Sequence, residues 1–145
     1  MIGAVTVKAP AWFWVVAVLS LLWNAFGCLD YAMTVTRNPA YIAQFPPETI
    51  DYLDAMPAWA LAAWALGVWS ALLGSVLLLV RSTWAVTAFG ASLLGLGLTT
   101  VYQAMSNEPP TMSSGVNLAI TVIIWIVAAA LFWFALGMRA RGVLR

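Results

Sequence analysis

The chain has 145 residues, of which 64% are hydrophobic and 8% charged, against about 25% charged in an ordinary soluble domain. So few charges cannot cover a soluble globule, and the apolar excess needs lipid; the net charge of +1 argues against nucleic acid, because phosphate binding needs clustered Lys and Arg. One cysteine and no histidine exclude an intramolecular disulfide and leave Cys/His zinc or haem sites without their ligands, so neither a metal nor a cofactor is expected.

A bilayer core about 30 Å thick needs about 20 apolar residues of helix, and four stretches qualify. The first runs from Ala11 to Leu29, with Pro10 suited to a helix start. Lys8 and this apolar run resemble a signal segment, and Ala25-Phe26-Gly27-Cys28 resembles a lipoprotein cleavage box. The usual Leu three residues before the cysteine is absent, however, and Phe26 is bulky where small residues are wanted, so the first span is expected to be retained. The second span covers Pro57–Val80, the third Trp84–Tyr102 and the fourth Val116–Gly137. Each continuous helix satisfies its own backbone hydrogen bonds, which lipid cannot do. The expected fold is an all-α membrane protein with four transmembrane helices in an antiparallel bundle, one domain over residues 1–145.

Charge placement sets the expected orientation. Lys8, Arg81, Arg139, Arg141 and Arg145 fall on one side of a four-span chain, and Arg37 falls on the other with Asp30, Glu48, Asp51, Asp54 and Glu108. The positive-inside rule then puts both termini and the Arg81–Thr83 turn in the cytoplasm of a bacterial inner membrane. Aromatic residues agree: Trp12, Trp14, Trp84 and Trp133 fall near the cytoplasmic boundary, and Tyr31, Tyr41, Tyr52, Trp59 and Tyr102 near the outer one.

The loop between the first two spans opens with Arg37-Asn38-Pro39, a helix stop. Residues 47–56 then read as a short amphipathic helix. At 100° per residue, Ile50, Tyr52, Leu53 and Met56 fill an arc of about 160°, with Glu48, Asp51 and Asp54 opposite. Such a helix is expected to lie on the outer surface or over the bundle mouth, its acids either a solvated face or a surface for a cation or partner. Asn107-Glu108-Pro109-Pro110 reads as a rigid turn, and Arg81-Ser82-Thr83 is short enough to force a helical hairpin.

Small residues recur every four positions at Ala63, Gly67, Ala71 and Ser75 and again at Ala91, Gly95 and Thr99. Such stripes let membrane helices approach closely, either within one bundle or against a second copy or another subunit.

Few residues offer chemistry. Asn24 lies within the first span and shares a face with Ser20, Gly27, Cys28 and Tyr31. An interhelical hydrogen bond and a substrate contact both fit it. Asp30, the one acid in or near a span, lies about 30 Å along the helix from Ala11. That places it at the outer interface, short of the desolvated midplane that a proton-coupled carrier's acid needs. Trp23, Trp64, Trp69 and Trp125 lie deep enough to line a pocket for a ring-shaped ligand or to fill helix interfaces. Cys28 has no Lys, Arg or His beside it to activate the thiol, and the parts for hydrolysis, phosphoryl transfer or metal catalysis are missing. The chain is therefore not expected to be an enzyme.

Three groups of residues carry a resemblance: Trp23-Asn24, Gly27 and Asp30-Tyr31; Met56-Pro57-Ala58-Trp59; and Leu77-Leu78-Leu79, Arg81 and Trp84-Ala85. Through them nearly the whole chain, down to the basic tail Arg139–Arg145, resembles small bacterial four-helix inner-membrane proteins that are often labelled sugar transporters. The resemblance implies the same four-span architecture and carries over no catalytic residues. Two function classes follow. The first is an accessory or stabilising subunit of a larger membrane complex. The alternative is a small oligomeric transporter or ligand-binding bundle for a sugar or hydrophobic compound. The expected partners are the lipid bilayer and other membrane subunits or a second copy.

Overall fold

The structure, a computed structural model, describes residues 7–145; the N-terminus itself, whose side of the membrane the charge pattern addresses, lies outside them. The described residues form seven helices and no strand: α1 (Ala11–Val35), α2 (Pro39–Ile42), α3 (Pro47–Asp54), α4 (Ala58–Leu79), α5 (Trp84–Met105), α6 (Pro110–Ser113) and α7 (Gly115–Ala140). Four of them, α1, α4, α5 and α7, are long and apolar enough to cross a membrane.

Local chemistry explains where these helices stop. α1 continues past Leu29 to Val35, because nothing between them breaks a helix. It ends when Arg37 turns left-handed at φ 54°, with Asn38 N–H donating to Met33 O at 3.1 Å and Arg37 N–H to Thr34 O at 3.2 Å. This crossed pair satisfies carbonyls that a helix end leaves free. α4 ends the same way at Arg81, φ 57°, and α7 at Gly142, φ 71°. Glycine is the usual occupant of such a position. The two arginines compensate through their side chains, Arg37 Nη1 donating to Thr34 O at 3.1 Å and Arg81 Nε to Val143 O at 2.8 Å. Two short helices stand where the sequence reads as punctuation. Asn38 accepts from Tyr41 N–H and caps α2, with Pro39 in its first turn, and Pro110 opens α6. A proline lacks only an N–H that a first turn cannot use.

The long helices pack in the order α1, α4, α5, α7, each against the next. The closest approach is between α4 and α5. A Cβ placed on Gly95 would lie 2.4 Å from Gly67 N and 2.7 Å from Ala63 O, so the two backbones touch where only hydrogen fits. Ser92 Oγ donates across this seam to Gly67 O at 2.7 Å. On its other side α4 receives α1: Asn24 Nδ2 donates to Ala71 O at 3.2 Å and to Ser75 Oγ at 2.8 Å, and Cys28 Sγ donates to Val68 O at 3.2 Å. The small-residue stripe of α4 is thus used within the chain.

The densest core lies at the end that carries Arg81, Arg139 and Arg141, here called the basic end. Phe13, Ala17, Leu78, Ala85, Phe89, Leu131, Ala135 and Met138 form one buried cluster there, with Val143 and Leu144 of the tail. The tail is clasped to the α4–α5 turn, with Arg145 N–H donating to Arg81 O at 2.7 Å. At the other, acidic end α7 opens away, and every residue from Ser113 to Ile120 is exposed.

The Gly67–Gly95 contact makes a direct prediction. Gly95→Ala forces a methyl group into backbone and is expected to lower stability by about 1–3 kcal/mol. Gly97→Ala meets nothing within 4 Å and is expected to be neutral or stabilising. Unfolding of both variants in mixed micelles checks the contrast.

Candidate site between the helices

Between α1, α4, α5 and α7, toward the acidic end, lies a partly open cavity of about 520 Å³, within the range of about 300–1,000 Å³ usual for small-molecule sites. At the basic end α1 and α7 meet through Phe134, whose ring stacks on Phe13 at 5.9 Å and meets the edge of Trp12 at 5.8 Å. The cavity begins above this contact, with Phe89 and Leu131 among its lining residues.

α1 contributes Trp23, Asn24, Gly27 and Asp30 to the wall, and α4 contributes Trp64, Gly67, Val68 and Ala71. α5 adds Ser92, Leu96, Thr99 and Gln103, and α7 adds Thr121, Ile124 and Ala128. Tyr52, Leu53 and Met56, from α3 and the residues after it, close the acidic end. Two ties hold α3 in place. Arg37 pairs with Asp54, and Tyr52 Oη lies 2.6 Å from Ser106 Oγ. Ser106 gives its own proton to Gln103 O at 3.2 Å, so Tyr52 is the donor in that bond. Burial pushes the Tyr52 phenol up from its ordinary value and keeps that proton in place.

Asp30 stands at the acidic rim. Tyr41, from α2, donates its hydroxyl to the Asp30 carboxylate. Burial, the hydrogen bond to Asp30 and the Asp30 charge together push the Tyr41 phenol up to about 12. Arg37, the nearest cation in sequence, is engaged by Asp54 and Thr34 O instead.

No protein-family model, curated protein or solved structure matches this chain. What the cavity can do is argued from its own atoms.

Of the residues singled out in the sequence, Trp23, Asn24 and Asp30 reach the cavity together. Tyr31 does not line it but packs edge-on against Trp64 at 4.9 Å and 85°, which sets the indole of Trp64 in the wall. Trp69 and Trp125 lie outside the lining, and Trp69 is exposed. Their depth in the spans is right but their direction is not, since depth along a helix says nothing of its face. Of the packing residues, Ala63, Gly67, Ala71, Ser75 and Gly95 meet neighbouring helices as described, while Ala91 is half-buried.

Sequence reasoning did not single out Ser92, Thr100, Gln103, Thr121 or Tyr41 for the site. A signal existed on α5, where Ser92, Leu96, Thr99 and Gln103 recur at helical offsets of four, seven and eleven. None existed for Tyr41, which reaches Asp30 only because the chain reverses at Arg37.

Tyr41 has a folded value above its ordinary 10.0, so its contribution is fully present below pH 10 and is lost as pH rises toward about 12. An absorbance titration of the tyrosines is expected to contain an ionisation near pH 12, absent from Tyr41→Phe.

Proposed function

We infer that the protein is a four-span bacterial inner-membrane protein that binds a small, largely apolar molecule in a cavity facing the outer side. The cavity between α1, α4, α5 and α7 is the observation that carries this reading. It combines an apolar body with a few polar groups, as ligand sites do, and its side between α1 and α7 suits entry from the lipid. We read the protein as a binder or carrier and assign it no catalytic step. Its resemblance to small four-helix proteins labelled as sugar transporters supports a binder or carrier, without bearing on the polarity of the ligand. A pathway through so few helices needs a second copy.

The arrangement in the membrane belongs to this proposal. Phe13 at the start of α1, Leu78 at the end of α4, Val86 at the start of α5 and Met138 at the end of α7 share one cluster, which supports an antiparallel bundle. Exposed Glu48, Asp51 and Asp54 opposite buried Tyr52 and half-buried Leu53 support an amphipathic α3 acting as a cover. Lys and Arg at the basic end support cytoplasmic termini. In a Cys28→Ser background, Asp51→Cys and Ser113→Cys are expected to react with an impermeant maleimide from outside, and Arg141→Cys only after permeabilisation. The reverse pattern overturns the orientation.

One observation favours a second reading, an accessory subunit. α7 is the least buried of the four long helices, so another membrane protein has a face to cover. Native mass spectrometry of the protein released gently from its own membrane separates the two. A bound small molecule in the wild type that is lost in Ala128→Trp, which fills the cavity, supports the binder. A stoichiometric protein partner, with no difference in small-molecule content between wild type and variant, supports the subunit.

A further inference from the structure

The cavity wall is richer in hydrogen-bond acceptors than in donors. Ser92 Oγ donates to Gly67 O at 2.7 Å, Thr99 Oγ1 to Gly95 O at 2.9 Å, Thr100 Oγ1 to Leu96 O at 2.9 Å and Thr121 Oγ1 to Asn117 O at 3.0 Å. A hydroxyl has one proton and two lone pairs, so each of these four cavity-lining residues has spent its proton and keeps only acceptor capacity. Asn24 follows the same rule. Its nitrogen donates to Ala71 O and Ser75 Oγ, and because a carbonyl only accepts, the Ala71 contact fixes which end of the amide is nitrogen. Oδ1 is left without a donor among the described residues, on a residue that is 8% exposed and lines the cavity.

Charge points the same way. Asp30 lines the cavity, takes one neutral hydrogen bond from Tyr41, and pairs with no cation among the described residues. Among the described residues, no Lys or Arg lines the cavity. The free donors in the wall, the indoles of Trp23 and Trp64, the Tyr102 hydroxyl and the Gln103 amide, carry no charge. Trp23, Tyr52, Trp64 and Tyr102 line the same space, and aromatic rings attract cations. An anion entering here meets lone pairs and a carboxylate with no charged donor to offset its desolvation. An ammonium meets acceptors, aromatic faces and a carboxylate.

We propose that the cavity takes a lipophilic ammonium: an apolar or aromatic body bearing a protonated amine, with the ammonium against Asp30 and the body toward Phe89 and Leu131. Asn24 Oδ1, about 9 Å deeper along α1, accepts from any second donor the body carries. The proposal rests on the cavity being a ligand site and narrows what fills it. Recognition at Asp30 needs no proton exchange, in keeping with the rim position of that residue.

Three matched probes test this with the full chain in phosphatidylcholine nanodiscs: dansylcadaverine, its N-acetyl derivative, and a dansyl aminohexanoic acid of similar length. Energy transfer from the tryptophans to the dansyl group, corrected for empty nanodiscs, reads binding. The ammonium probe is expected to bind about tenfold more tightly than the neutral one, the size of one partly desolvated charge contact, and the carboxylate probe weakest. Asp30→Asn is expected to erase the advantage of the ammonium while leaving the neutral probe unchanged. Equal affinity for all three probes, or a preference for the carboxylate, overturns the ammonium assignment and leaves the ligand site standing. An Asp30→Asn variant that weakens all three probes equally assigns Asp30 a structural role and also overturns it. Failure of every probe to bind above empty nanodiscs removes the ligand site itself.

Discussion

The contact of bare backbone at Gly67 and Gly95 is the constraint on which the rest of the bundle depends. Without a hydrophobic driving force between helices in lipid, close packing and interhelical hydrogen bonds hold a membrane bundle together. α4 and α5 reach that closeness where Gly95 sits against Gly67 and Ala63, and Ser92 seals the seam with a bond to a carbonyl that the glycine leaves accessible. The hairpin so formed is the frame to which α1 and α7 attach, α1 through Asn24 and Cys28 on α4 and α7 through its packing on α5.

The two attachments differ along their length, and that difference makes the cavity. At the basic end large side chains from α1, α4, α5 and α7 interlock, and the 143–145 segment is tied to the α4–α5 turn by the Arg81 and Arg145 backbones. At the acidic end no comparable core joins α7 to α1 among the described residues. The structure there depends on polar ties among the connecting segments: Arg37 to Asp54, Tyr52 to Ser106 and Tyr41 to Asp30. A tightly packed base with a lightly tied, polar rim is a sound arrangement for a site, since the base sets the walls while the rim segments are the ones with few buried apolar contacts.

Polar residues in this bundle have two roles, and Asn24 combines them. Its amide nitrogen joins α1 to α4, which is structural, while its oxygen, on a residue that lines the cavity, takes no hydrogen bond among the described residues. The hydroxyls on α5 and α7 behave alike, bonding back to their own helix or across to α4 by the proton and presenting lone pairs by default. A wall that is acceptor-rich arises from ordinary helix chemistry, because Ser and Thr in apolar surroundings give their proton to a nearby carbonyl. The acceptors in the space are therefore a consequence of how the helix residues satisfy themselves, and Asp30 stands at their rim.

Much of the architecture was legible in the chain because hydropathy, charge and small-residue spacing are local and add along the sequence. The four apolar runs, the helical segment near residues 47–54 and the segregation of all the Lys and Arg but Arg37 from Asp and Glu follow from counting alone. The helix ends at Arg37 and Arg81 were harder, since arginine in a left-handed position is stabilised by partners that a local reading does not supply. Only the tertiary structure decided which way the stripe of α4 faces, that α1 and α7 part at one end, and that Tyr41 comes back to Asp30. It also decided that Trp23 and Trp64 share a space while Trp69 and Trp125 do not. The reason is physical: a helix period places a residue on a face, but the neighbour that the face meets depends on how four helices lean together. A cavity is the part of that geometry where the leaning leaves a gap, which no single helix encodes.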